Sequence, residues 1–209
     1  MNNNFTINHG ICEGILVGDI FRPSDDIAII TVKTKDQRIR PNTQRPTVSY
    51  IQFTAFDELA TSIAEEYCSG ALVAIEYEIT TSKKTDEKGI TKFHKNRIIK
   101  SFKSFFVPVE GQHVPYINFG IAQGEFAGIK KASKSSGIYF LNIKLVSKDN
   151  MREKVYYPQF TVYGDKFAML FEKYNIGDTI TVTYKIETEK KNISGEEEFF
   201  TDYIVTEVK

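Results

Sequence analysis

The sequence predicts an all-β fold with one short helix per unit, arranged as two tandem five-stranded barrels. Three observations carry this prediction. The first is internal repetition. Asn8-His9-Gly10-Ile11-Cys12-Glu13-Gly14 recurs as Asn118-Phe119-Gly120-Ile121-Ala122-Gln123-Gly124, and Gln52-Phe53-Thr54-Ala55-Phe56 as Gln159-Phe160-Thr161-Val162-Tyr163. Tyr67-Cys68-Ser69-Gly70 recurs as Tyr174-Asn175-Ile176-Gly177. The order is kept throughout, as two copies of one unit require. The second is apolar alternation of period two, clearest at Val73, Ile75, Tyr77, Ile79 and at Ile180, Val182, Tyr184, Ile186; this is the mark of a strand with one buried face. The third is a single helical series per copy, at the same place in each order.

The elements follow in sequence. In the first copy, residues 10–20 read as a glycine-marked strand and 27–34 as a β-branched one. Residues 35–47, with two prolines and many charges, read as a loop or hairpin tip. Residues 48–56 form the third strand. A helix follows over 57–69, because Leu59, Ala60, Ile63, Ala64 and Tyr67 keep helical spacing. Asp57 is placed to cap it and Gly70 to end it. Residues 71–80 form the fourth strand, 82–90 a polar turn and 91–102 the fifth strand. The second copy repeats this, with its helix over 165–174 and its fourth strand over 179–188. Three strands, a helix and two strands is the order of the OB-fold, a small Greek-key barrel. The first domain is set at 1–107 and the second at 116–209. The linker, 108–115, is marked by Pro108, Gly111 and Pro115.

Composition narrows the class. The chain has 209 residues, of which 41% are hydrophobic and 26% charged, so it has ample apolar material for packed cores. It has no apolar run long enough for a membrane span and no signal-peptide pattern at Met1-Asn2-Asn3-Asn4, which predicts a cytoplasmic protein. Cys12 and Cys68 cannot form a disulfide framework and are expected to be buried thiols. His9, His94 and His113 are scattered, and no spacing suits a metal or a phosphate-cradling loop. Neither catalysis nor a cofactor is expected.

The third strand separates core from surface. Ile51, Phe53 and Ala55 share one face; Val48, Tyr50, Gln52, Thr54 and Phe56 share the other. In the second copy Phe160 and Val162 point inward, while Tyr157, Gln159, Thr161 and Tyr163 point outward. Aromatic rings displayed twice on an outward face suit stacked bases, or else a subunit interface.

The 27 basic and 27 acidic residues cancel in total but are segregated. Lys33, Lys35, Arg38, Arg40 and Arg45 surround a single acid, Asp36. Lys83, Lys84, Lys88, Lys92, Lys95, Arg97, Lys100 and Lys103 surround only Asp86 and Glu87. Asp57, Glu58, Glu65, Glu66, Glu76 and Glu78 make the helix and the following strand acidic. In the second copy Lys130, Lys131, Lys134, Lys144, Lys148, Arg152 and Lys154 make the early connections basic. Its last turn is acid-rich, with Glu187, Glu189 and Glu196-Glu197-Glu198. Basic loops flanking an aromatic face fit a nucleic-acid groove. The first copy should be the stronger binder.

Taken together, the glycine-marked first strand, the aromatic-to-aromatic third strand, the Tyr-x-x-Gly after the helix and the alternating fourth strand resemble the bacterial and phage single-stranded DNA-binding protein family, here as a tandem pair. The resemblance implies sequence-independent binding of single-stranded DNA, with RNA not excluded. It implies base stacking on Tyr50, Phe56, Tyr157 and Tyr163. Lys84 and Lys191 stand where the family usually places a further stacking aromatic. The DNA-contacting set then comprises those four rings with Gln52, Thr54, Gln159, Lys33, Arg38, Arg40, Arg45, Lys83, Lys84, Lys92, Arg97, Lys130, Lys131, Lys144 and Lys191. The family commonly assembles four such folds, so a homodimer is expected, with a monomer as the alternative. Val205-Thr206-Glu207-Val208-Lys209 does not resemble the acidic recruitment tail of many members, so recruitment through such a tail is not expected. The resemblance fits a phage, plasmid or accessory protein that protects exposed strands during replication, recombination or DNA transfer. Two other readings remain open: an RNA- or oligosaccharide-binding OB protein, and an assembly protein whose aromatic face joins subunits.

Overall fold

The structure is a computed structural model. It describes residues 6–39, 46–85, 89, 91–105, 117–132, 137–149, 152–193 and 196–209. The first copy contains β1 (Ile7–Ser24), β2 (Ile27–Ile39), β3 (Pro46–Phe56), α1 (Asp57–Glu66), β4 (Leu72–Thr85) and β5 (Thr91–Phe105). Antiparallel pairings join β1 to β2, β2 to β3, β5 to β4 and β4 to β1, and a parallel bridge from Thr54 to Ile98 joins β3 to β5. The five strands thus close on themselves in the OB order.

The second copy closes in the same way from β6 (Asn118–Lys131), β7 (Ile138–Asp149), β8 (Arg152–Tyr156), β9 (Gln159–Tyr163), β10 (Thr179–Ile193) and β11 (Glu196–Val208). One strand more than expected appears here. The segment matching β3 is broken into β8 and β9 at Pro158, which has no N–H to offer a ladder. α2 (Asp165–Ala168) and a 3-10 turn at Met169–Phe171 fill the helix position.

The hairpin arms are longer than the charge pattern suggested. Residues assigned to a loop and a turn instead pair across the ladder, Lys35 with Val48, Lys84 with Lys92 and Thr85 with Thr91. Polar side chains leave this ladder intact because both faces of an arm that leaves the barrel are solvated. The first helix stops earlier than its apolar spacing predicts. Tyr67 leaves helical geometry and its hydroxyl donates to the Gly18 carbonyl at 2.7 Å, so the chain is pinned to β1. Gly70, at φ +89°, then closes the turn with its N–H on the Leu16 carbonyl. Asp57 does not cap: it is the first helical residue and its N–H is spent on the Asp26 carbonyl at 2.9 Å. The second helix is shorter still. Its apolar residues nevertheless face the core, with Ala168 and Phe171 buried.

Each barrel core repeats the other. Phe53 packs edge-on to Tyr77 at 5.2 Å, and Phe160 to Tyr184 at 5.2 Å. Cys12 is buried, but Cys68 is exposed, contrary to the expectation for both thiols: it follows the helix, outside the apolar face.

β1 and β6 pair antiparallel, and this makes the sheet continuous through both barrels. Gly10 faces Gly120, which are equivalent residues of the repeat. An approximate two-fold axis therefore passes through that pair. A Cβ on Gly10 would lie 2.2 Å from the Tyr77 ring, and one on Gly120 would lie 2.3 Å from the Tyr184 ring. The glycines are thus demanded by close approach of the tyrosines. The axis also relates side-chain contacts. Asn8 bonds both backbone groups of Ile79, at 2.7 and 2.9 Å, and Asn118 does the same to Ile186, at 2.7 and 3.1 Å.

Two outcomes test this packing. Gly10→Ala or Gly120→Ala should lower unfolding free energy in urea by roughly 1–3 kcal/mol, the usual cost of overpacking a core. A thiol reagent at about pH 8 should titrate Cys68 at once and Cys12 only after denaturation. Burial, and secondarily the Glu13 charge, push the Cys12 thiol up to about 12.

Candidate nucleic-acid interface

β3 presents alternate side chains outward, and its register with β2 sets their neighbours. Tyr50 and Phe56 are 42% and 41% exposed. Gln52 is exposed between them and Thr54 is half-buried. Lys33 lies opposite Tyr50 on β2, and Thr31 opposite Gln52. A cation therefore stands beside the first ring. The second ring, Phe56, borders a groove of about 580 Å³ that also takes in Asp57, Glu78, Asn96 and Lys100 of the first copy and Lys154 and Tyr156 from β8; Lys100 is paired with Glu78 at 2.8 Å. That groove contains residues of both barrels.

The barrels meet along these same strands. The Tyr50 N–H donates to Thr188 Oγ1 at 2.7 Å, and its two-fold mate, the Tyr157 N–H, donates to Thr81 Oγ1 at 3.3 Å. The Thr188 N–H reaches Ser49 Oγ at 3.1 Å. Each aromatic-bearing segment is thus held against the fourth strand of the other copy.

In the second copy Tyr157 and Tyr163 are 54% and 48% exposed, as the alternation predicts, and Gln159 is half-buried. Thr161 departs from the expectation. It is buried, and its hydroxyl donates to Asp202 at 3.3 Å, so it belongs to the packing between β9 and β11. Tyr157 lies just outside a strand, before Pro158.

The charge environments of the two faces differ, and the ladder registers show where. Lys33 pairs with Ile15 on β1, whereas its counterpart Lys144 pairs with Glu125 and forms an ion pair at 2.9 Å. Thr80, Ser82 and Asn96 in the first copy correspond to Glu187, Glu189 and Asp202 in the second. Burial pushes the Tyr163 hydroxyl above its ordinary pKa, and the charges of Asp202, Glu187 and Glu189 push it further. Three carboxylates therefore act on the second ring face, one of which, Glu187, is paired with Lys185 at 2.5 Å.

The remaining sequence-predicted residues fall into three groups. Lys83, Lys84 and Lys130 are exposed. Lys131 is also exposed but is engaged: it pairs with Asp165 at 3.2 Å and covers the Tyr139 ring at 5.3 Å. Arg97 is not the exposed base that the charge pattern suggested. It is 9% exposed and its Nε donates to the Gln52 carbonyl at 2.6 Å, because β5 carries it under the barrel junction. The side chains of Arg38, Lys92 and Lys191, and all of Arg40 and Arg45, lie outside the described residues. Sequence reasoning did not single out Asn96, Tyr156 and Thr201 beside the rings. Their signal lies in the pairing of the two copies with each other, which no single repeat reveals.

Among the described residues no cluster of His, Cys, Asp and Glu could hold a metal ion, and no helix is long and apolar enough to cross a membrane. No protein-family model matches the chain. No curated protein matches its sequence. Solved structures do match. The wild-type single-stranded DNA-binding protein from Thermus aquaticus aligns with a TM-score of 0.68 at 12% identity, covering 98% of this chain and 92% of that one. A deletion mutant of the same Thermus aquaticus protein aligns with a TM-score of 0.68 at 13% identity, covering 98% and 94%. At such identity the likeness concerns the fold, and it extends over nearly all of both chains: the protein has the all-β, OB-like fold of the Thermus aquaticus single-stranded DNA-binding protein.

Proposed function

We propose that this protein binds single-stranded DNA without sequence preference and protects exposed strands during replication, recombination or DNA transfer. The observation that carries the reading is the outward pair Tyr50 and Phe56, with Lys33 beside the first ring. Exposed rings on a barrel face are sequence-tolerant stacking platforms, each worth ~1–3 kcal/mol per base. Lysines along the same face neutralise backbone phosphates. The proteins whose structures it resembles are single-stranded DNA-binding proteins, which adds support from the fold.

In this reading the chain comprises domains at 1–107 and 116–209 with a linker at 108–115. Gln52, Thr54, Lys33, Lys83 and Lys84 accompany the two rings on the first. Tyr157, Tyr163, Gln159, Lys130, Lys131 and Lys144 form a weaker face on the second. Two chains assemble into a four-barrel homodimer. A cytoplasmic phage, plasmid or accessory protein fits this description.

Oligo-dT titration followed by fluorescence anisotropy tests it. Binding should saturate and weaken with salt, with a log–log slope of about −0.7 per phosphate neutralised. No saturable binding at low salt would reject the proposal. Preference for oligo-U or a sugar polymer would favour the other OB ligands, and loss of oligomers in Tyr50→Ala without DNA binding would favour an assembly role. Tyr50→Ala and Phe56→Ala should each cost ~1–3 kcal/mol of affinity, more than Tyr157→Ala or Tyr163→Ala; equal losses would contradict the asymmetry. Conversely, Glu187→Thr with Asp202→Asn should strengthen binding by about 0.2–1 kcal/mol per charge at low salt, read in the same titration.

A further inference from the structure

We propose that the junction between the barrels contains a preformed site for one backbone phosphate, built on Arg97 and completed by residues of both copies. This rests on the single-stranded DNA reading above and adds a specific contact to it. Arg97 is nine-tenths buried, and among the described residues its guanidinium is hydrogen-bonded to uncharged acceptors. Nε donates to the Gln52 carbonyl at 2.6 Å, and one terminal nitrogen approaches the Tyr203 hydroxyl at 3.5 Å. Among the described residues, no carboxylate forms an ion pair with it. A buried cation without a counter-charge is costly, and an anion that enters beside it relieves that cost. Arg97 borders a pocket of about 270 Å³ whose other walls are Thr31, Tyr50 and Gln52 from the first barrel and Thr201 from the second. Threonine hydroxyls can donate to a phosphate oxygen, and a guanidinium fork matches two of them. Tyr50 forms one wall, so the pocket adjoins the residue on which a base would stack.

The two-fold axis does not repeat this site. The ladder registers make Tyr203 the counterpart of Arg97, and Lys95 the counterpart of Thr201. In the related corner, Lys95 sits over the Tyr203 ring at 5.2 Å. Lys95 and Arg97 both come from β5, and of the two Arg97 lines the pocket.

Salt-dependent titration of the full chain with oligo-dT tests the assignment in wild type, Arg97→Gln, Arg97→Lys and Thr201→Glu. Arg97→Gln should weaken binding about tenfold and reduce the slope magnitude by about 0.7, one phosphate's share. Arg97→Lys should restore the slope. Thr201→Glu keeps Arg97 but places a carboxylate at the pocket, and should reproduce the Arg97→Gln loss with a melting temperature at or above that of wild type, because the carboxylate then supplies the missing counter-charge. If Arg97 serves packing alone, Arg97→Gln lowers the melting temperature while Thr201→Glu binds as wild type and all slopes agree; that result overturns the proposal. Thermal stabilisation by inorganic phosphate equal to that by oligo-dT would also overturn it, by assigning the pocket to free anions. A wild type that fails to bind oligo-dT removes the functional reading itself, which is a different result from a wild type that binds with variants of unchanged slope.

Discussion

The antiparallel pairing of β1 with β6 is the interaction on which the rest of the molecule depends. Six residue pairs from Ile7 to Cys12 join two barrels edge to edge, with Gly10 opposite Gly120 at the centre. Each glycine has a tyrosine ring laid over its backbone, so each barrel carries its largest core side chain up to the junction. The Tyr77 and Tyr184 hydroxyls are close enough to influence one another's ionisation, yet neither has a well-aligned hydrogen-bond partner. Burial, ahead of neighbouring groups, holds both well above the usual tyrosine pKa. The axis then brings β3 of one copy against β10 of the other, and the Tyr50 and Tyr157 amides are fixed by threonines across the junction. The backbone at Tyr50 and at Tyr157 is consequently held by both copies.

Symmetry of the backbone coexists with asymmetry of charge. Where the first copy has Ile15, Thr80, Ser82 and Asn96, the second has Glu125, Glu187, Glu189 and Asp202. All eight positions lie outside the hydrophobic core cluster. The exchanges alter potential instead. The rims of two similar faces thus differ in charge: at these four positions the second copy carries carboxylates where the first carries none. The exchange of Arg97 for Tyr203 breaks the symmetry within the junction itself.

Much of this was legible in the sequence, for identifiable reasons. Repetition located both barrels, and period-two alternation at Val73–Ile79 and Ile180–Ile186 placed the core face of each fourth strand, since side-chain direction follows from the pleat alone. The four exposed rings followed from the same rule. What the sequence did not reveal depends on contacts between distant segments. Helix α1 stops at Glu66 because Tyr67 is tied to β1, a contact over 49 residues. Thr161 is buried because Asp202 comes to it from β11. Arg97 counts as one more base in a basic stretch until the second barrel covers it. Long polar hairpins read as loops because local composition records solvation and leaves backbone pairing unrecorded.

Ultraviolet crosslinking of the full chain to oligo-dT, followed by mass-spectrometric mapping of the modified residues, tests the central claim most directly. Base stacking on the first barrel predicts crosslinks concentrated at Tyr50 and Phe56, with fewer at Tyr157 and Tyr163. Crosslinks confined to the second barrel, or spread over rings away from these faces such as Phe21, would contradict it.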